Sequence, residues 1–417
     1  MRILHLVHQY MPEYVGGTEL YTQWLARGLS RRGHEVTVFY RRSAEGVGHE
    51  VLSEDGLRIW AAWTGVQSPT RRFLATFGDP SMVRVFERAL EETRPELVHV
   101  QHLMGLPVAL IQSIQQQGLP FMITLHDYWW ICANAQLLTN YSQQLCEGPR
   151  AYLNCARCAL ARAGRSQLAP ALPALAGWLA WRNYLLRRVM QAASWLIAST
   201  EFVQSWYAAH GAPTRSLMVI PPGLELAPTP RPMRKSNDSV HFAYIGGLAW
   251  QKGVHILVDA FSQVKGAADL WIAGDESFDP AYVARLRALA SPNVRFLGRL
   301  AREQVWDTLT QVDVIVVPAI WYETFSFIVS EAFAVGVPVV ASRLGPLADR
   351  VHDGIDGLHV PPGDVVAWRA ALQRLVDEPD LLAHLRANVR PPVTLDEHAA
   401  KIEALYAQFV DGSSQAQ

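Results

Sequence analysis

The sequence predicts an α/β protein made of two Rossmann-like, doubly wound domains that face each other across a cleft. Short apolar runs alternate with amphipathic helical patterns along nearly the whole chain, which is typical of a parallel sheet with helices on both faces. The chain has 417 residues, of which 50% are hydrophobic and 18% are charged. This length is sufficient for two domains with separate cores.

The first predicted domain covers residues 1–226. Its first strand, residues 3–7, is followed by apolar residues at helical spacing over residues 18–32, and Gly33 fits the end of that helix. Further short apolar runs predict strands at residues 36–40, 97–100, 121–125 and 194–199. The alternation weakens over residues 132–182, so we expect an insertion there.

A second alternating series begins after a proline-rich, polar stretch at residues 227–238, which is the predicted linker. The second domain is expected at residues 239–395. Its predicted strands lie at residues 240–245, 270–273, 294–297, 314–317, 337–341 and 358–360. We expect the last helix, residues 396–411, to pack back on the first domain.

Charge and hydropathy exclude several classes of protein. The formal net charge is −1, so no global charge favours nucleic acid or an anionic membrane. The amino terminus runs directly into a strand pattern rather than a signal peptide. No apolar run reaches the roughly 18 residues of a membrane-spanning helix. We therefore expect a cytoplasmic protein.

The most informative motif is a pair of glutamates, Glu323 and Glu331, eight positions apart. They follow the apolar run of residues 313–318, which predicts a buried strand. The first carboxylate is then in the loop at the strand's carboxyl end, and the second is about one turn into the next helix. Ligands bind at that edge of a parallel sheet. Two carboxylates there suit a ligand with hydroxyls at both ends, such as a nucleotide sugar.

Glycine-rich loops follow the first strand of each predicted domain. Gly16 and Gly17 open the first helix, and the loop from Gly246 to Gly253 has the same position in the second domain. Glycines let the backbone approach a ligand, and helix-start amides attract anions. Lys252 adds a positive charge where a diphosphate would bind. Neither loop has the Walker ending or the dinucleotide fingerprint, which argues against a dinucleotide-dependent oxidoreductase.

Taken together, these motifs resemble glycosyltransferase family 4, whose members have the GT-B fold and retain anomeric configuration. The family hallmarks Gly-x-Leu-x-x-x-Lys-Gly and Glu-x7-Glu correspond to residues 246–253 and 323–331. Further similar segments are residues 16–19, 126–129, 334–342 and 353–358. The resemblance covers roughly residues 1–130 and 195–390.

The resemblance implies roles for individual residues. Glu331 would bind the ribose, Glu323 would lie near the donor hexose, and Lys252 would neutralise the leaving diphosphate. His126 would approach the donor sugar near the scissile bond. The implied catalytic residues are His126, Lys252 and Glu323. The implied donor-binding residues are Gly16, Gly17, Gly246, Gly247, Lys252, Glu323, Thr324, Phe325, Ser326, Phe327 and Glu331.

One position departs from the family pattern. Gly247 stands where the family usually has an arginine, so the two-cation clamp on the diphosphate is reduced to Lys252 unless Arg299 or Arg343 substitutes. The chain also lacks an Asp-x-Asp triplet of the kind that holds a divalent ion against a diphosphate. We therefore expect no catalytic metal or other cofactor for the reaction.

His126 and its neighbours have structural alternatives. A single histidine is more often a structural hydrogen-bonding residue than a catalyst, although His126 follows a predicted strand at its carboxyl end. Asp127 could orient the His126 imidazole. Trp129 and Trp130 could stack on a sugar or pack in the core.

The four cysteines all fall in the predicted insertion: Cys132, Cys146, Cys155 and Cys158. The two-residue gap between Cys155 and Cys158 suits two thiolates on one metal ion. A structural zinc site made by all four thiolates is the preferred interpretation, because a metal would stabilise an excursion with little core of its own. Free thiols or a redox pair at Cys155 and Cys158 are the alternatives.

The segment from Leu168 to Arg188 combines tryptophans and arginines, which could dock at a membrane surface. The alternative is a helix packed on its own domain. Docking would make the contact peripheral, at the inner face of the membrane, and would favour a lipid-linked sugar as acceptor.

The sequence therefore predicts a retaining glycosyltransferase that moves a hexose from a UDP- or GDP-linked sugar to a hydroxyl acceptor, a glycan or a lipid-linked sugar. Such an enzyme would act in cell-surface polysaccharide or glycolipid synthesis. The alternative is a nucleotide-sugar-binding partner protein without transfer, favoured by Gly247 alone.

Overall fold

The computed structural model describes residues 1–226 and 239–414, so the predicted linker at residues 227–238 lies outside the described residues. The chain forms two compact units. The first comprises Met1–Gly223 together with the carboxyl-terminal segment from Leu395, and the second comprises Leu224–Thr394.

The first unit is built on a sheet in which the described residues form eight strands. They are β1 (Arg2–Val7), β2 (Glu35–Arg41), β3 (Ala44–Glu54), β4 (Leu57–Gly65), β5 (Leu97–Val100), β6 (Phe121–Leu125), β7 (Trp195–Ala198) and β8 (Leu217–Val219). Their spatial order is β3-β4-β2-β1-β5-β6-β7-β8, and every neighbouring pair is parallel except β3 and β4. The sheet is therefore mixed.

The helices of this unit alternate with the parallel strands. They are α1 (Gly17–Arg31), α2 (Pro69–Ala75), α3 (Pro80–Thr93), α4 (Ala109–Gln116), α5 (Leu153–Arg162), α6 (Leu172–Ala192) and α7 (Glu201–Ala209). Several start where the sequence supplies a side-chain cap. Asp79 accepts from the Met82 amide with Pro80 at the first turn of α3, and Thr200 accepts from the Val203 amide at the start of α7.

The antiparallel pair β3–β4 is the main departure from the predicted first domain, since the sequence analysis assigned no strand there. Asp55 and Gly56, with φ of 49° and 78°, form the turn between the two strands. An Asp-Gly pair is favoured in such a turn because both central residues need positive φ. The strand β3 is at the sheet edge and largely exposed, so it lacks the continuous apolar run that identified the central strands.

The predicted insertion at residues 132–182 is more helical than expected. It contains α5, a 3-10 helix at Ser166–Ala171 and the first half of α6. The helices α5 and α6 pack on each other around Ala156, Ala176 and Leu179. Among the described residues, no helix has both the length and the apolar character needed to cross a bilayer.

The second unit has a sheet of six strands among the described residues, all parallel. They are β9 (Val240–Ile245), β10 (Ala268–Ala273), β11 (Val294–Gly298), β12 (Val314–Val317), β13 (Val339–Ser342) and β14 (Gly357–Val360). The spatial order is β11-β10-β9-β12-β13-β14. Every residue of β12 and β13 is buried, which is why these strands are continuous apolar runs in the sequence.

The helices of the second unit connect these strands. They are α8 (Val254–Phe261), α9 (Pro280–Leu289), α10 (Arg302–Leu309), α11 (Phe327–Ala334), α12 (Pro346–Arg350), α13 (Val365–Asp377) and α14 (Pro379–Asn388). Both units thus have the doubly wound α/β fold that the sequence predicted, with the first sheet mixed rather than wholly parallel.

The last helix, α15 (Leu395–Ser414), belongs to the first unit. The Tyr21 hydroxyl of α1 lies 2.8 Å from His398 Nε2, and the Tyr406 hydroxyl lies 2.7 Å from His99 Nδ1 on β5. All four side chains are buried, so these contacts fix the helix against the first sheet and its first helix.

Candidate active site

The second unit contains a topological switch point between β9 and β12. From β9 the chain proceeds to β10 and β11 on one side of the sheet, whereas β12, β13 and β14 are added on the other side. The loops that leave the carboxyl ends of β9 and β12 therefore diverge and leave a crevice, which is where open α/β sheets bind ligands. The loop of residues 246–253 follows β9, and Glu323 follows β12.

Lys252 and Glu323, separated by 71 positions in the chain, meet at this switch point. Lys252 Nζ lies 2.7 Å from Glu323 Oε1, and Trp321 Nε1 donates to the same oxygen at 2.9 Å. The ammonium also lies 5.0 Å from the centre of the Trp321 ring. Glu323 is buried, whereas the Lys252 side chain is 28% exposed. A cation thus stays accessible beside a carboxylate whose position is fixed by two donors.

Gly253 allows the loop after β9 to approach the end of β12 closely. It has φ of 72°, and a Cβ on it would lie 1.9 Å from the Pro318 carbonyl oxygen. No side chain fits there, so the glycine that ends the loop holds Lys252 against the end of β12.

Glu331 lies in the second turn of α11 and is buried. Its Oε1 accepts from Arg302 Nη1 at 2.5 Å, and the Arg302 guanidinium lies 4.9 Å from the centre of the Trp306 ring. The sequence analysis did not identify Arg302 as a partner. No motif marks it, because the pairing depends on the start of α10 lying beside α11.

The loop between β12 and α11 is held by an arginine that sequence reasoning missed. Arg350 donates from Nη1 to the carbonyls of Phe325 and Ser326, the latter at 2.7 Å, and from Nη2 to Ser330 Oγ at 2.6 Å. Its guanidinium carbon lies 3.7 Å from the centre of the Phe325 ring. Burial lowers the pKa of Arg350 to about 9, so the group remains a cation at neutral pH.

This contact determines where the loop amides point. The C=O and the following N–H of a trans peptide point in opposite directions. Because the carbonyls of Phe325 and Ser326 face Arg350, the amides of Ser326 and Phe327 face away from it. Ser326 has φ of 63°, a left-handed conformation that turns the chain into α11. The loop therefore presents two amides at the amino end of a helix, an arrangement that attracts anions.

The two arginines suggested as substitutes for the cation missing at Gly247 make their contacts elsewhere. Arg299 Nη1 lies 3.7 Å from Asp275 Oδ2, with a side chain that is largely exposed. Arg343 is exposed, and its backbone amide bonds to the Val360 carbonyl. Gly247 itself is exposed, and a Cβ there would meet nothing within 4 Å. In the described residues, Lys252 is thus the cation placed beside Glu323.

The first unit has a second group of candidate residues, at the carboxyl ends of the adjacent strands β1, β5 and β6. His8 follows β1, His102 follows β5, and His126 and Asp127 follow β6. The sequence analysis singled out only the last two. A polar residue directly after each apolar run was the signal that could have identified the others.

Asp127 orients His102, the histidine that follows β5. Its Oδ1 accepts from His102 Nε2 at 3.1 Å and from the Trp129 amide at 2.8 Å. The Met104 amide donates to His102 Nδ1 at 3.0 Å, so the proton of the neutral His102 ring is on Nε2. Asp127 also lies near enough to His126 to influence the pKa of that ring, so its role towards His126 stays a prediction. Trp129 and Trp130 are buried, which favours the core-packing alternative over sugar stacking.

His126 is a half-buried, neutral histidine. Its Nε2 lies 2.8 Å from Gln101 Oε1, and Gln101 Nε2 lies 3.0 Å from His5 Nδ1, so one glutamine amide orients both rings. Burial lowers the pKa of His126 to about 3. His126 therefore cannot supply a proton near neutral pH, but a neutral imidazole can hydrogen-bond a ligand hydroxyl.

His8 and Glu19 complete this group. The His8 and His102 rings lie 4.3 Å apart, and His8 Nε2 lies 3.6 Å from Glu19 Oε1. Burial holds the pKa of His8 well below its ordinary value and raises that of Glu19. Within the part of the chain that the structure describes, His8 Nδ1 is buried without a hydrogen-bond partner.

The same glutamate affects the loop at Gly16 and Gly17. A Cβ on Gly16 would lie 2.7 Å from Glu19 Oε2, so the carboxylate folds back over the start of α1. The helix start that was expected to attract phosphate already faces a carboxyl group. A phosphate approaching it would be repelled by Glu19 whenever that group is ionised.

The four cysteines lie near one another in the first unit. The sulfurs of Cys146 and Cys155 lie 3.8 Å and 3.6 Å from side-chain atoms of Asn154, and Cys158 Sγ accepts from Asn134 Nδ2 at 2.8 Å. Burial, reinforced by the neighbouring thiols, raises the pKa of Cys155 to about 12. Among the described residues, no three His, Cys, Asp or Glu side chains are placed to hold a metal ion. The structural zinc stays a prediction for metal analysis of the purified protein.

A cavity of about 410 Å³ lies elsewhere in the first unit. Tyr152, Arg187 and His210 are among its lining residues, together with Trp130, one of the two tryptophans considered for sugar stacking. The cavity includes none of the predicted catalytic or donor-binding residues.

Comparisons with known proteins identify the family of both units. A family model described as "Glycosyl transferase 4-like domain" matches residues 16–223, and one described as "Glycosyl transferases group 1" matches residues 239–378. Glycogen synthase of Mycobacterium tuberculosis (strain ATCC 25618 / H37Rv) is 26% identical over 418 residues, which cover 95% of this chain and 91% of that protein.

Two solved structures are similar along nearly the whole chain. Sucrose-phosphate synthase from Thermosynechococcus elongatus has a TM-score of 0.74 and 20% identity, covering 98% of this chain and 99% of that one. Anabaena HepE in complex with UDP and glucose has a TM-score of 0.68 and 18% identity, with the same coverage. At these identities the two structures support the fold, and the family models support the assignment of each unit.

Proposed function

The chain belongs to glycosyltransferase family 4, and from this premise we propose that it transfers a hexose from a UDP- or GDP-linked sugar to a hydroxyl acceptor with retention of anomeric configuration. A glycosyltransferase that uses a nucleotide-sugar donor follows from the family. The hexose, the retaining stereochemistry and the acceptor are the proposal. A glycan or lipid-linked acceptor in cell-surface polysaccharide or glycolipid synthesis fits the proposed reaction.

The contact between Lys252 and Glu323 carries this proposal. A donor sugar bound at the end of β12 would offer its hydroxyls to the Glu323 carboxylate, and its diphosphate would lie beside the Lys252 ammonium. The amides of Ser326 and Phe327 would add hydrogen bonds to the same phosphates. A fixed cation at the position where charge develops lowers the barrier to departure of the diphosphate. In this proposal Lys252 and the amides supply that charge stabilisation without a divalent ion.

The bond changes follow from this arrangement. The bond from the anomeric carbon to the diphosphate oxygen breaks, and the bond from the acceptor oxygen to the same carbon forms on the same face. The proton of the acceptor hydroxyl passes to the departing diphosphate oxygen. No protein base is required, which accommodates a His126 that is neutral at the pH of the reaction.

The first unit is the proposed location of the acceptor. Hydroxyls are recognised by neutral donors and acceptors. The buried His8 and His102 and the half-buried His126 supply these. The His8 Nδ1 atom, which has no hydrogen-bond partner among the described residues, suits an acceptor hydroxyl. The alternative of a nucleotide-sugar-binding protein without transfer depends on Gly247 alone, and the comparisons do not favour it.

A donor screen followed by product analysis tests the proposal. Binding of UDP- and GDP-hexoses is measured by thermal shift, since a ligand of the folded state raises the melting temperature. The anomeric configuration of the product made from the best donor is then determined by NMR, with and without EDTA. We expect retained configuration and undiminished turnover in EDTA. An inverted product, or turnover abolished by EDTA, contradicts the corresponding part of the proposal.

Substitution of Lys252 tests its role in turnover, and substitution of a second lysine in the same unit is the matched control. We expect Lys252→Ala to lower kcat by about 10²–10³-fold, the usual cost of removing one group that stabilises transition-state charge. Lys265→Ala removes an exposed lysine of the same unit and should leave kcat unchanged. Equal activity of the Lys252→Ala variant and the parent would remove Lys252 from the mechanism.

A further inference from the structure

The helix α6 has two apolar faces, of which only one is covered. Ala176, Leu179 and Leu186 are buried against the first unit. On the opposite side Trp178, Trp181 and Tyr184 are 41%, 49% and 55% exposed. The sequence analysis left open whether this segment packs on its own domain or meets a membrane. The structure shows that one face packs and that the other leaves three large aromatic side chains in solvent.

These aromatic side chains are held in place by neighbours on α2 and just beyond it. The Phe77 ring is stacked at 5.3 Å from Trp178 and at 5.0 Å from Trp181, and Phe73 lies 5.9 Å from Trp178. Leu74 is exposed beside Phe73 in the chain. We call the group of Leu74, Phe77, Trp178, Trp181 and Tyr184 the aromatic patch. The stacking of Phe77 on both tryptophans restricts these three rings before anything binds, so they lose little rotamer entropy on docking.

The segment that carries α6 is rich in positive charge. Residues 148–200 contain seven arginines and no aspartate or glutamate, whereas the whole chain has a net charge of −1. Arg182 is buried, and the other six are exposed. Arg188 lies next to the patch, with its guanidinium 6.0 Å from the centre of the Tyr184 ring. Arg165 lies on the same helical hairpin, three residues before the exposed Leu168.

We propose that the aromatic patch docks this protein on an anionic phospholipid membrane. Tryptophan and tyrosine favour the boundary between headgroups and acyl chains, and arginines beside them attract anionic lipid. A glycan would also stack on aromatic rings, but a glycan site uses carboxylates to bind sugar hydroxyls. The absence of acidic residues from residues 148–200 therefore favours lipid over glycan. This docking is independent of the proposed function, although it would bring the first unit to a lipid-linked acceptor.

Co-sedimentation of the full chain with vesicles tests the inference. The vesicles contain either phosphatidylcholine alone or phosphatidylcholine with phosphatidylglycerol, at low and high salt. We expect binding to the anionic vesicles that weakens as salt rises, because screening reduces attraction between charges. No binding of the parent protein to anionic vesicles overturns the proposal.

Three sets of variants locate the contact. We expect the double variant Trp178→Ala/Trp181→Ala to bind more than about tenfold more weakly, because two interfacial anchors are lost. Arg165→Gln/Arg188→Gln leaves the stacked rings intact, and we expect a loss of about fivefold for each arginine. Phe278→Ala removes a side chain of the second unit that is 77% exposed, and it should bind as the parent does. Binding unchanged in both double variants overturns the assignment to the aromatic patch.

The parent protein and its tryptophan variant also distinguish lipid from two other occupants of the aromatic patch, a glycan and a second copy of this chain. If the parent protein binds immobilised neutral polysaccharide, the tryptophan variant does not, and neither binds vesicles, the patch is assigned to a glycan. A parent dimer and a monomeric tryptophan variant in analytical ultracentrifugation, again without vesicle binding, would assign it to a second copy of this chain. Either result overturns the lipid proposal.

Discussion

Gly247 shows how a single residue can change the electrostatics of a site without changing its fold. Its amide belongs to the loop after β9, where Tyr244 donates to the Gly247 carbonyl at 2.7 Å. The position is exposed and has room for a side chain, since a Cβ there would meet nothing within 4 Å. The glycine is therefore not required by packing, and the missing cation is a property of the site rather than of the fold.

We expect Gly247→Arg to strengthen binding of the donor diphosphate. A second cation beside Lys252 should lower the Kd for UDP or GDP by about five- to tenfold, the value of one charge-assisted hydrogen bond. Isothermal titration calorimetry measures this effect. Two controls test whether the effect comes from charge. Gly247→Gln adds comparable bulk without charge, and the nucleoside used as ligand lacks the diphosphate. If arginine and glutamine have the same effect, the gain does not come from charge.

Arg350 is a positioning residue, since it acts on the donor site through the loop of residues 324–327. Its removal leaves the carbonyls of Phe325 and Ser326 without their donor, and each buried acceptor left unpaired costs about 1–3 kcal/mol. We expect Arg350→Met to lower the free energy of unfolding and to raise KM for the donor by at least about tenfold, because about 1.4 kcal/mol of loop ordering corresponds to that factor.

The split between KM and kcat distinguishes this role from general destabilisation. At saturating donor, well below the melting temperature, kcat of Arg350→Met should fall less than kcat/KM. Arg369→Met, which removes an exposed arginine of the same unit, should change neither constant. An Arg350→Met enzyme with an unchanged donor KM would show that the loop does not need this arginine.

At the scale of single elements, the loop after β9 depends on one close backbone approach. Gly253 and Gly354 have almost the same φ, 72° and 71°, but different surroundings. A Cβ on Gly253 would lie 1.9 Å from the Pro318 carbonyl oxygen, whereas a Cβ on Gly354 would meet nothing within 4 Å. The two glycines therefore separate the cost of backbone conformation from the cost of a steric clash.

We expect Gly354→Ala to cost about 1–2 kcal/mol, the price of a left-handed conformation at a residue with a Cβ. Gly253→Ala should cost more than about 4 kcal/mol, because either the β9 loop or the end of β12 must move. Urea denaturation measures both values. The clash should also displace Lys252 and lower turnover in Gly253→Ala but not in Gly354→Ala. Similar unfolding free energies for the two variants would contradict this account.

At the scale of the whole molecule, the first unit contains an unusual number of buried, neutral histidines. His5, His99 and His398 are each almost fully buried. Burial lowers the pKa of His5 to about 3 and that of His398 to about 4, and it holds the pKa of His99 well below its ordinary value. In the folded protein these rings resist protonation, whereas in the unfolded chain they titrate near pH 6.5.

These buried, neutral histidines make the folded protein less stable at acid pH. Between about pH 6.5 and pH 4 the unfolded chain binds more protons than the folded one, so the free energy of unfolding falls as pH falls. Each such histidine contributes up to about 1.4 kcal/mol per pH unit. Its contribution is fully present above pH 6.5 and is lost as pH falls through the folded-state pKa. We expect urea stability to be constant from pH 7 to 8 and to decrease below pH 6.5.

His398→Gln should reduce this acid slope, since it removes a histidine that links α15 to Tyr21 and to the Pro221 carbonyl. His384→Gln, which replaces an exposed histidine of the second unit, should leave the slope unchanged. A slope that is the same in both variants would mean that His398 does not contribute.

The sequence by itself determined the doubly wound class, the central strands and the family. Buried parallel strands are continuous apolar runs, and the family's loop residues occur at fixed spacing, so both are visible along the chain. The strands β3, β4 and β8 were missed. An exposed strand such as β3 or a three-residue strand such as β8 carries little periodic signal, whereas the apolar run at residues 59–62 of β4 was a signal that could have identified it. Only the tertiary structure decided that Asp127 orients His102, that Arg302 pairs with Glu331 and that Arg350 holds the loop before α11. These contacts join residues 20 to 30 positions apart through sheet order and helix packing, and no spacing rule encodes such proximity. Likewise, the segment from Leu168 to Arg188 was amphipathic in sequence, but only packing decided which aromatic side chains remain exposed.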